Sequence, residues 1–256
     1  MTADVDAALA RRVLPLIDLT SLTGEEDEQQ TVALCRQART PAGDVAAVCV
    51  YPRWAAVAAR ELAGTPVAVA VVANFPQGDA NPARAREEAA QAIADGADEV
   101  DVVLPYQAWS GGDEPGALAV VESARAAVPS PNRLKVILET GRLQRPDVIR
   151  TAAAAAIDAG ADFVKTSTGK LQPGATPDAA RAMLEAIAER DGAAGFKASG
   201  GVRTLEQAGA YLALADELLG PAWAGPATFR YGASGLLDAV LATLGERPEG
   251  TDAGGY

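Results

Sequence analysis

Three charged residues occupy matching positions in otherwise apolar parts of the chain. Asp101, Lys165 and Lys197 each lie five residues after a glycine that ends a predicted helix. Charged groups at the ends of apolar strands are costly to bury unless they are paired or functional. The shared spacing therefore predicts that the three side chains lie at a similar depth in one sheet. A buried ion network that serves only stability remains the alternative.

Lys165 has the surroundings expected of a nucleophilic amine. A lysine attacks a carbonyl carbon only when it is neutral, and an unperturbed lysine has a pKa of about 10.4. An apolar pocket and a second cation both lower that pKa. Lys197, which ends the next predicted strand, is the expected second cation, and Asp101 is the expected proton carrier. The pattern predicts Schiff-base chemistry at Lys165.

Glycine-rich turns follow the last three predicted strands. Glycines allow backbone N–H groups to approach a phosphate, and barrels often bind phosphate after strands seven and eight. Ser234 is also expected to cap the last helix. Ordinary turn glycines are the alternative. The predicted anion site comprises Gly169, Lys170, Gly200, Gly201, Ser234 and Gly235.

Several weaker candidates accompany these residues. Cys49 is interpreted as a core residue that could also line the pocket, and Glu139 as the structural partner of a lysine. Asp18 is a candidate for the proton network or for a capping role, and Arg203 for a phosphate neighbour or a surface charge. The remaining pocket candidates are Thr20 and Thr168, and Tyr256 is interpreted as a frayed terminus.

Strand-like and helix-like segments alternate along the whole chain. Apolar, Val- and Ile-rich runs predict parallel strands at 15–19, 45–51, 67–74, 99–104, 133–139, 163–166, 195–198 and 228–231. Helices are predicted at 25–39, 53–62, 82–95, 114–127, 147–159, 177–190, 205–213 and 235–244. Eight such pairs predict one (β/α)8 barrel domain over 1–256, with an N-terminal helix or arm and a flexible tail at 245–256.

Start signals support three of these helices. Thr23 with Glu26 and Thr204 with Gln207 have the spacing of capping boxes. Thr176 precedes a proline, which suits an N-cap followed by the first helical position.

The amino-acid composition excludes several kinds of catalytic site and argues against several kinds of partner. The chain has no histidine, so a Ser-His-Asp triad and histidine-ligated zinc are excluded. A net charge of −12 argues against nucleic acid binding. Only two cysteines and no apolar leader or membrane-length segment predict a cytoplasmic protein without a membrane partner.

Four segments resemble deoxyribose-phosphate aldolases: LIDLT (16–20), GADEVDVV (96–103), FVKTSTG (163–169) and KASGGVR (197–203). The likeness runs from about residue 16 to 244. It implies a TIM barrel and a class I aldolase, which cleaves 2-deoxy-D-ribose 5-phosphate to D-glyceraldehyde 3-phosphate and acetaldehyde without a cofactor. A homo-oligomer such as a dimer is compatible with this assignment. Another Schiff-base aldolase, a transaldolase-like enzyme and a non-catalytic phosphate-binding barrel remain rival functions.

The resemblance also implies individual roles. Lys165 matches the Schiff-base lysine, Lys197 the lysine that perturbs it and Asp101 the proton-transfer aspartate. Gly235 departs from the family pattern, because a second serine is common at this position. Tyr256 resembles a tail residue that visits the active site. The positions that match the phosphate site are Gly169, Lys170, Gly201 and Ser234.

Overall fold

Eight parallel strands form a closed barrel in this computed structural model, which describes residues 2–246. Each strand pairs with its neighbour in the chain, and the first closes the barrel against the last. The predicted (β/α)8 barrel is therefore confirmed, and each predicted strand overlaps an observed one. The strands are β1 (Ile17–Thr20), β2 (Ala47–Val50), β3 (Ala68–Ala73), β4 (Glu99–Val103), β5 (Arg133–Ile137), β6 (Phe163–Lys165), β7 (Gly195–Ser199) and β8 (Phe229–Ala233).

One main helix follows each strand and covers the outside of the barrel. In α5 the buried residues Ile149, Ala152, Ala153 and Ala156 recur at intervals of three and four, so that one stripe faces the sheet. Within residues 2–246, no helix is both long and apolar enough to cross a membrane. The helices are α1 (Glu28–Gln37), α2 (Ala55–Glu61), α3 (Pro82–Ala94), α4 (Glu114–Ala127), α5 (Pro146–Asp158), α6 (Pro177–Ala188), α7 (Leu205–Leu219) and α8 (Leu236–Leu244).

A further helix precedes the barrel, as predicted. It spans Thr2–Val13 and packs against α7 and α8. Near its end, the Arg12 guanidinium donates to the Asp216 carboxylate of α7 at 2.7 Å. At the other end of the chain, Gly245 adopts a left-handed conformation that terminates α8. The predicted tail thus begins with a helix-ending turn, and residues 247–256 lie outside the described part.

Two of the three predicted helix starts are confirmed. Thr204 forms the capping box of α7 with Gln207, and the Thr176 side chain caps α6. The box predicted for Thr23 and Glu26 is wrong, because α1 begins at Glu28 and Asp27 is its N-cap. The physical reason lies in the intervening Gly24, whose φ of +100° cannot belong to a right-handed helical turn.

Several short elements were not predicted, because they span too few residues to show a periodic pattern. One is a two-stranded hairpin between β1 and β2. The others are single turns of helix at the ends of the barrel. These elements are Arg39–Thr40 with Gly43–Asp44, Leu14–Leu16, Pro52–Trp54, Tyr106–Ser110 and Thr140–Leu143.

The barrel interior has an apolar side and a charged side. Ala47 and Cys49 of β2 form a small apolar cluster with Ala70 and Val72 of β3 and with Leu22. The other six strands contribute buried charged side chains, which are Asp18, Glu99, Asp101, Lys135, Lys165, Lys197 and Arg230. The charged side is the candidate site, and the apolar side supplies its low-dielectric wall.

Candidate active site

Strand register brings the predicted lysines together. Lys165 of β6 lies directly opposite Lys197 of β7, and both side chains are buried. Neighbouring parallel strands lie about 5 Å apart, so their side chains share the same part of the interior. The lysines are 1% and 0% exposed and therefore lie inside the barrel rather than on its rim.

Asp101 of β4 links the two lysines across the interior. Its Oδ2 atom accepts hydrogen bonds from Lys165 Nζ at 2.9 Å and from Lys197 Nζ at 2.8 Å. The two amines share one oxygen atom, so they lie close enough to repel each other when both are protonated. The structure thus brings together the three residues that the sequence pattern singled out.

Asp18 belongs to the same network. Its Oδ2 atom accepts from Lys197 Nζ at 2.5 Å, and its Oδ1 atom accepts from Arg230 at 2.6 Å. Of the two interpretations of Asp18, the contacts favour membership of the ionic network over a capping role.

Sequence reasoning missed three buried members of this network, which are Lys135, Glu99 and Arg230. Lys135 Nζ lies 2.6 Å from both Asp101 Oδ1 and Glu99 Oε2, and Arg230 donates to Glu99 Oε1 at 2.8 Å. The signal that could have found Lys135 is the same as for the others: it is a charge inside an apolar strand. Glu99 and Arg230 lie in strands β4 and β8, towards the N-terminal end of the barrel.

The network holds one more cation than it holds carboxylates. Four basic side chains face three acidic ones, and all seven are buried. Lys135 and Lys197 each approach at least two carboxylates, whereas Lys165 contacts Asp101 alone. Removing one proton would balance the charge of the cluster. Lys165 is the amine that loses the least ionic stabilisation by doing so.

The pKa directions agree with this charge balance. Burial lowers the pKa of Lys165, and the neighbouring Lys197 ammonium lowers it further, against the opposing effect of Asp101. Burial acts on Lys197 in the same direction, but Asp101 and Asp18 outweigh it and raise the pKa of Lys197. Burial would raise the pKa of Asp101, yet Lys135, Lys165 and Lys197 hold it well below its usual range. The cluster therefore combines one amine that is easily deprotonated with partners that stay ionised.

A cavity of about 310 Å³ opens above the cluster, at the C-terminal ends of the strands. Loops that follow β1, β6, β7 and β8 line it. The predicted residues among its walls are Thr20, Thr168, Gly169, Lys170, Gly200, Gly201, Arg203 and Ser234. The Lys170 ammonium donates to the Leu22 carbonyl oxygen and so bridges two sides of the mouth. Lys165 does not line this cavity; 2% of its side chain is exposed, against none for Lys135 and Lys197.

Close backbone contact holds two walls of the cavity together. The Ala175 N–H donates to the carbonyl oxygens of Ser199 and Gly200 at 3.0 and 2.9 Å, which joins the loops after β6 and β7. A Cβ atom on Gly174 would lie 2.1 Å from the Gly200 oxygen. Only glycine permits this approach, and it keeps the backbone of the predicted anion site in one place.

Three predicted residues of the described part, Gly235, Glu139 and Cys49, do not line the cavity. Gly235 does not line the cavity but is the N-cap of α8, and the predicted capping of α8 by Ser234 is wrong, because no side chain caps that helix. Glu139 contacts Thr168 rather than a lysine, since its left-handed backbone turns it towards the loop after β6. Tyr256 lies outside the described residues. Cys49 is fully buried on the apolar side of the barrel, and burial raises the pKa of its thiol.

Comparison with known proteins relates this chain to one family of enzymes. The sequence model of the DeoC/LacD family of aldolases matches residues 12–235. A protein from Toxoplasma gondii, provisionally named a deoxyribose-phosphate aldolase, is 27% identical with a TM-score of 0.85, over 94% of this chain and 97% of its own. A Coccidioides immitis protein with the same provisional name is 32% identical with a TM-score of 0.80, over 92% of this chain and 87% of its own.

A third similar structure is a deoxyribose phosphate aldolase from Aeropyrum pernix, described as tetrameric. It is 25% identical with a TM-score of 0.72, over 94% of this chain and 92% of its own. The family match spans most of the sequence, and the three similar structures share the fold over more than 90% of this chain. The chain therefore belongs to the DeoC/LacD family of aldolases.

Proposed function

We propose that this aldolase cleaves 2-deoxy-D-ribose 5-phosphate reversibly to D-glyceraldehyde 3-phosphate and acetaldehyde through a Schiff base on Lys165. One observation carries the proposal: Lys165 is a buried amine with a lowered pKa, paired with a single carboxylate and placed opposite a second ammonium. Such an environment is what a nucleophilic lysine requires. The names of the similar proteins favour the same substrate.

In the proposed reaction, the neutral Lys165 amine attacks the C1 aldehyde carbon of the open-chain sugar. The carbinolamine that forms loses water and becomes an iminium ion. The iminium accepts the electron pair of the C2–C3 bond while a base removes the C3 hydroxyl proton, and glyceraldehyde 3-phosphate leaves. The remaining enamine is protonated at C2, and hydrolysis of the resulting iminium releases acetaldehyde and restores the amine.

We propose different roles for the groups around Lys165. Lys197 has a raised pKa and keeps its proton, so it acts as a fixed positive charge against Lys165. Asp101 accepts hydrogen bonds from both amines and can orient them or pass a proton through water. The glycine loops and Lys170 at the cavity mouth would hold the phosphate.

Reductive trapping tests this proposal directly. The chain has four lysines, which are Lys135, Lys165, Lys170 and Lys197, so peptide mapping can assign an adduct without ambiguity. We expect acetaldehyde with borohydride to add one ethyl group to Lys165. K170A, which removes the exposed lysine, should leave that adduct unchanged.

Other outcomes would decide against the proposal. Absence of any adduct on Lys165 would contradict Schiff-base catalysis, as would turnover by K165A. An adduct formed with a ketose donor but not with acetaldehyde would instead favour a transaldolase-like enzyme. Sugar phosphate binding without turnover or adduct would indicate a non-catalytic barrel.

A further inference from the structure

Glu139 lies at the carboxyl end of β5 in a conformation that is unusual for its type. Its φ is +52°, in the left-handed region, and the residue is completely buried. Residues other than glycine rarely adopt this conformation, and they keep it where the surroundings fix them. Because the proposed reaction does not use this carboxyl group, its burial beside the site needs another explanation.

The side-chain hydrogen bonds of Glu139 both come from the loop after β6. Its Oε2 atom accepts hydrogen bonds from the Thr168 N–H at 3.2 Å and from the Thr168 hydroxyl at 2.5 Å. The Thr168 oxygen in turn accepts from the Lys170 N–H at 3.1 Å. One carboxylate oxygen just beyond the end of β5 therefore holds, through Thr168, the segment that carries Gly169 and Lys170, both of which line the cavity mouth.

This segment lies close to Lys165 in the sequence. Three positions separate Lys165 from Thr168, and the following Gly169 has a φ of +79°, so the backbone has little intrinsic stiffness here. A substrate held at one end by the amine and at the other by the loop needs both at a fixed separation. The hydrogen bonds to Glu139 tie Thr168 to the segment that follows the neighbouring strand. A backbone bond from the Thr140 N–H to the Thr166 oxygen at 2.9 Å joins the same two segments closer to Lys165.

We propose that Glu139 is a positioning residue that holds the anion-binding loop, residues 168–170, at a fixed distance from Lys165. The inference rests on the proposed function, because it assumes a substrate with an aldehyde at one end and a phosphate at the other. Glu139 touches neither end itself. Its loss should weaken recognition of the phosphate and leave the chemistry of the amine intact.

Two variants of Glu139 separate this role from a merely structural one. E139Q keeps an oxygen acceptor for the Thr168 N–H and hydroxyl. E139G removes the acceptor, and glycine adopts a positive φ without strain, so the fold should tolerate it. The measured quantity is the ratio of kcat/KM for 2-deoxyribose 5-phosphate to kcat/KM for unphosphorylated 2-deoxyribose.

We expect E139G to lower this ratio by about tenfold or more, mainly through KM for the phosphorylated sugar, because two hydrogen bonds are lost. E139Q should stay close to the wild-type ratio. Acetaldehyde trapping on Lys165 should be unchanged in E139G, since acetaldehyde carries no phosphate. T168V, which loses the hydroxyl that bonds both Glu139 and the Lys170 N–H, should lower the ratio in the same direction.

An unchanged ratio in E139G, or in T168V should E139G fail to fold, would overturn the inference. So would equal losses for both sugars, because these would show that Glu139 supports the whole barrel rather than the loop. If the wild-type protein itself fails to trap acetaldehyde, the proposed function fails instead. The trapping experiment therefore distinguishes the two failures.

Discussion

Replacing Lys197 with methionine should raise the pKa of Lys165 and so suppress Schiff-base formation at neutral pH. Methionine fills a similar volume without the charge. The two carboxylates that Lys197 contacts keep other partners, because Asp18 retains Arg230 and Asp101 retains Lys135. K197M should therefore fold, and its buried cluster would hold as many cations as carboxylates when Lys165 is protonated.

The expected size of the effect follows from the geometry. Both amines lie within hydrogen-bond distance of one Asp101 oxygen, at 2.9 and 2.8 Å. Two like charges about 5 Å apart repel each other by about 3 kcal/mol at an effective dielectric constant of about 20. Lys165 is buried, so little of this is lost to solvent screening. At a fixed pH near 7, removing the repulsion should make the neutral amine about 100-fold rarer.

The assay is the rate of acetaldehyde trapping on Lys165 as a function of pH. In the wild-type protein the rate should rise with pH and level off as Lys165 loses its proton. In K197M the same rise should occur at higher pH, so that raising the pH restores part of the lost rate. K197R, which keeps a positive charge at the position, is the matched control and should move the profile less.

The reasoning would be refuted by a K197M profile that keeps the wild-type midpoint. It would also be refuted by a loss of rate that is equal at every pH, since this would indicate damaged geometry rather than an altered proton affinity. Circular dichroism and thermal unfolding of K197M would show whether the fold is intact.

Two stability predictions follow from the same network. R230M should lower the free energy of unfolding in urea by about 3 kcal/mol or more, because it leaves two buried carboxylate oxygen atoms, Asp18 Oδ1 and Glu99 Oε1, without their hydrogen-bond donor. R181A, which breaks an exposed pair, should change the free energy of unfolding little, and equal losses in the two variants would contradict the argument. Burial would raise the pKa of Asp18 and of Asp101, but the cations around them outweigh burial and hold both pKa values below their ordinary range. The two ionised carboxylates therefore stabilise the fold fully above about pH 4. This stabilisation is lost as the pH falls further. Urea midpoints measured between pH 7 and pH 3 would check this, and a flat profile would exclude it.

Much of the fold could be predicted because the barrel repeats one simple pattern. Parallel strands covered on both faces are mostly apolar, and the continuous apolar run Ala68–Ala73 clearly indicates such a strand. The single turn of helix at Thr140–Leu143 could not be predicted, because four residues carry no period. The start of α1 was misplaced because Thr23 and Glu26 have the spacing of a capping box, whereas the glycine between them determines the backbone.

The candidate site was predictable only in part. The offset from a helix-ending glycine selected Asp101, Lys165 and Lys197, since each follows its glycine into an equivalent strand position. This offset does not select Lys135, because no helix-ending glycine precedes β5. The contact between Glu139 and Thr168 depends on a left-handed backbone angle, which the identity of a glutamate does not indicate.

The positions of the lysines also determine where amine-reactive reagents can attach to the protein. Three of the four are enclosed by the barrel, and Lys170 alone is exposed, at the cavity mouth. Among the four lysines, bulky amine-reactive dyes or activated resins should therefore attach at Lys170. Attachment at Lys170 would cover the mouth of the proposed substrate site, so immobilisation through another side chain is the better choice.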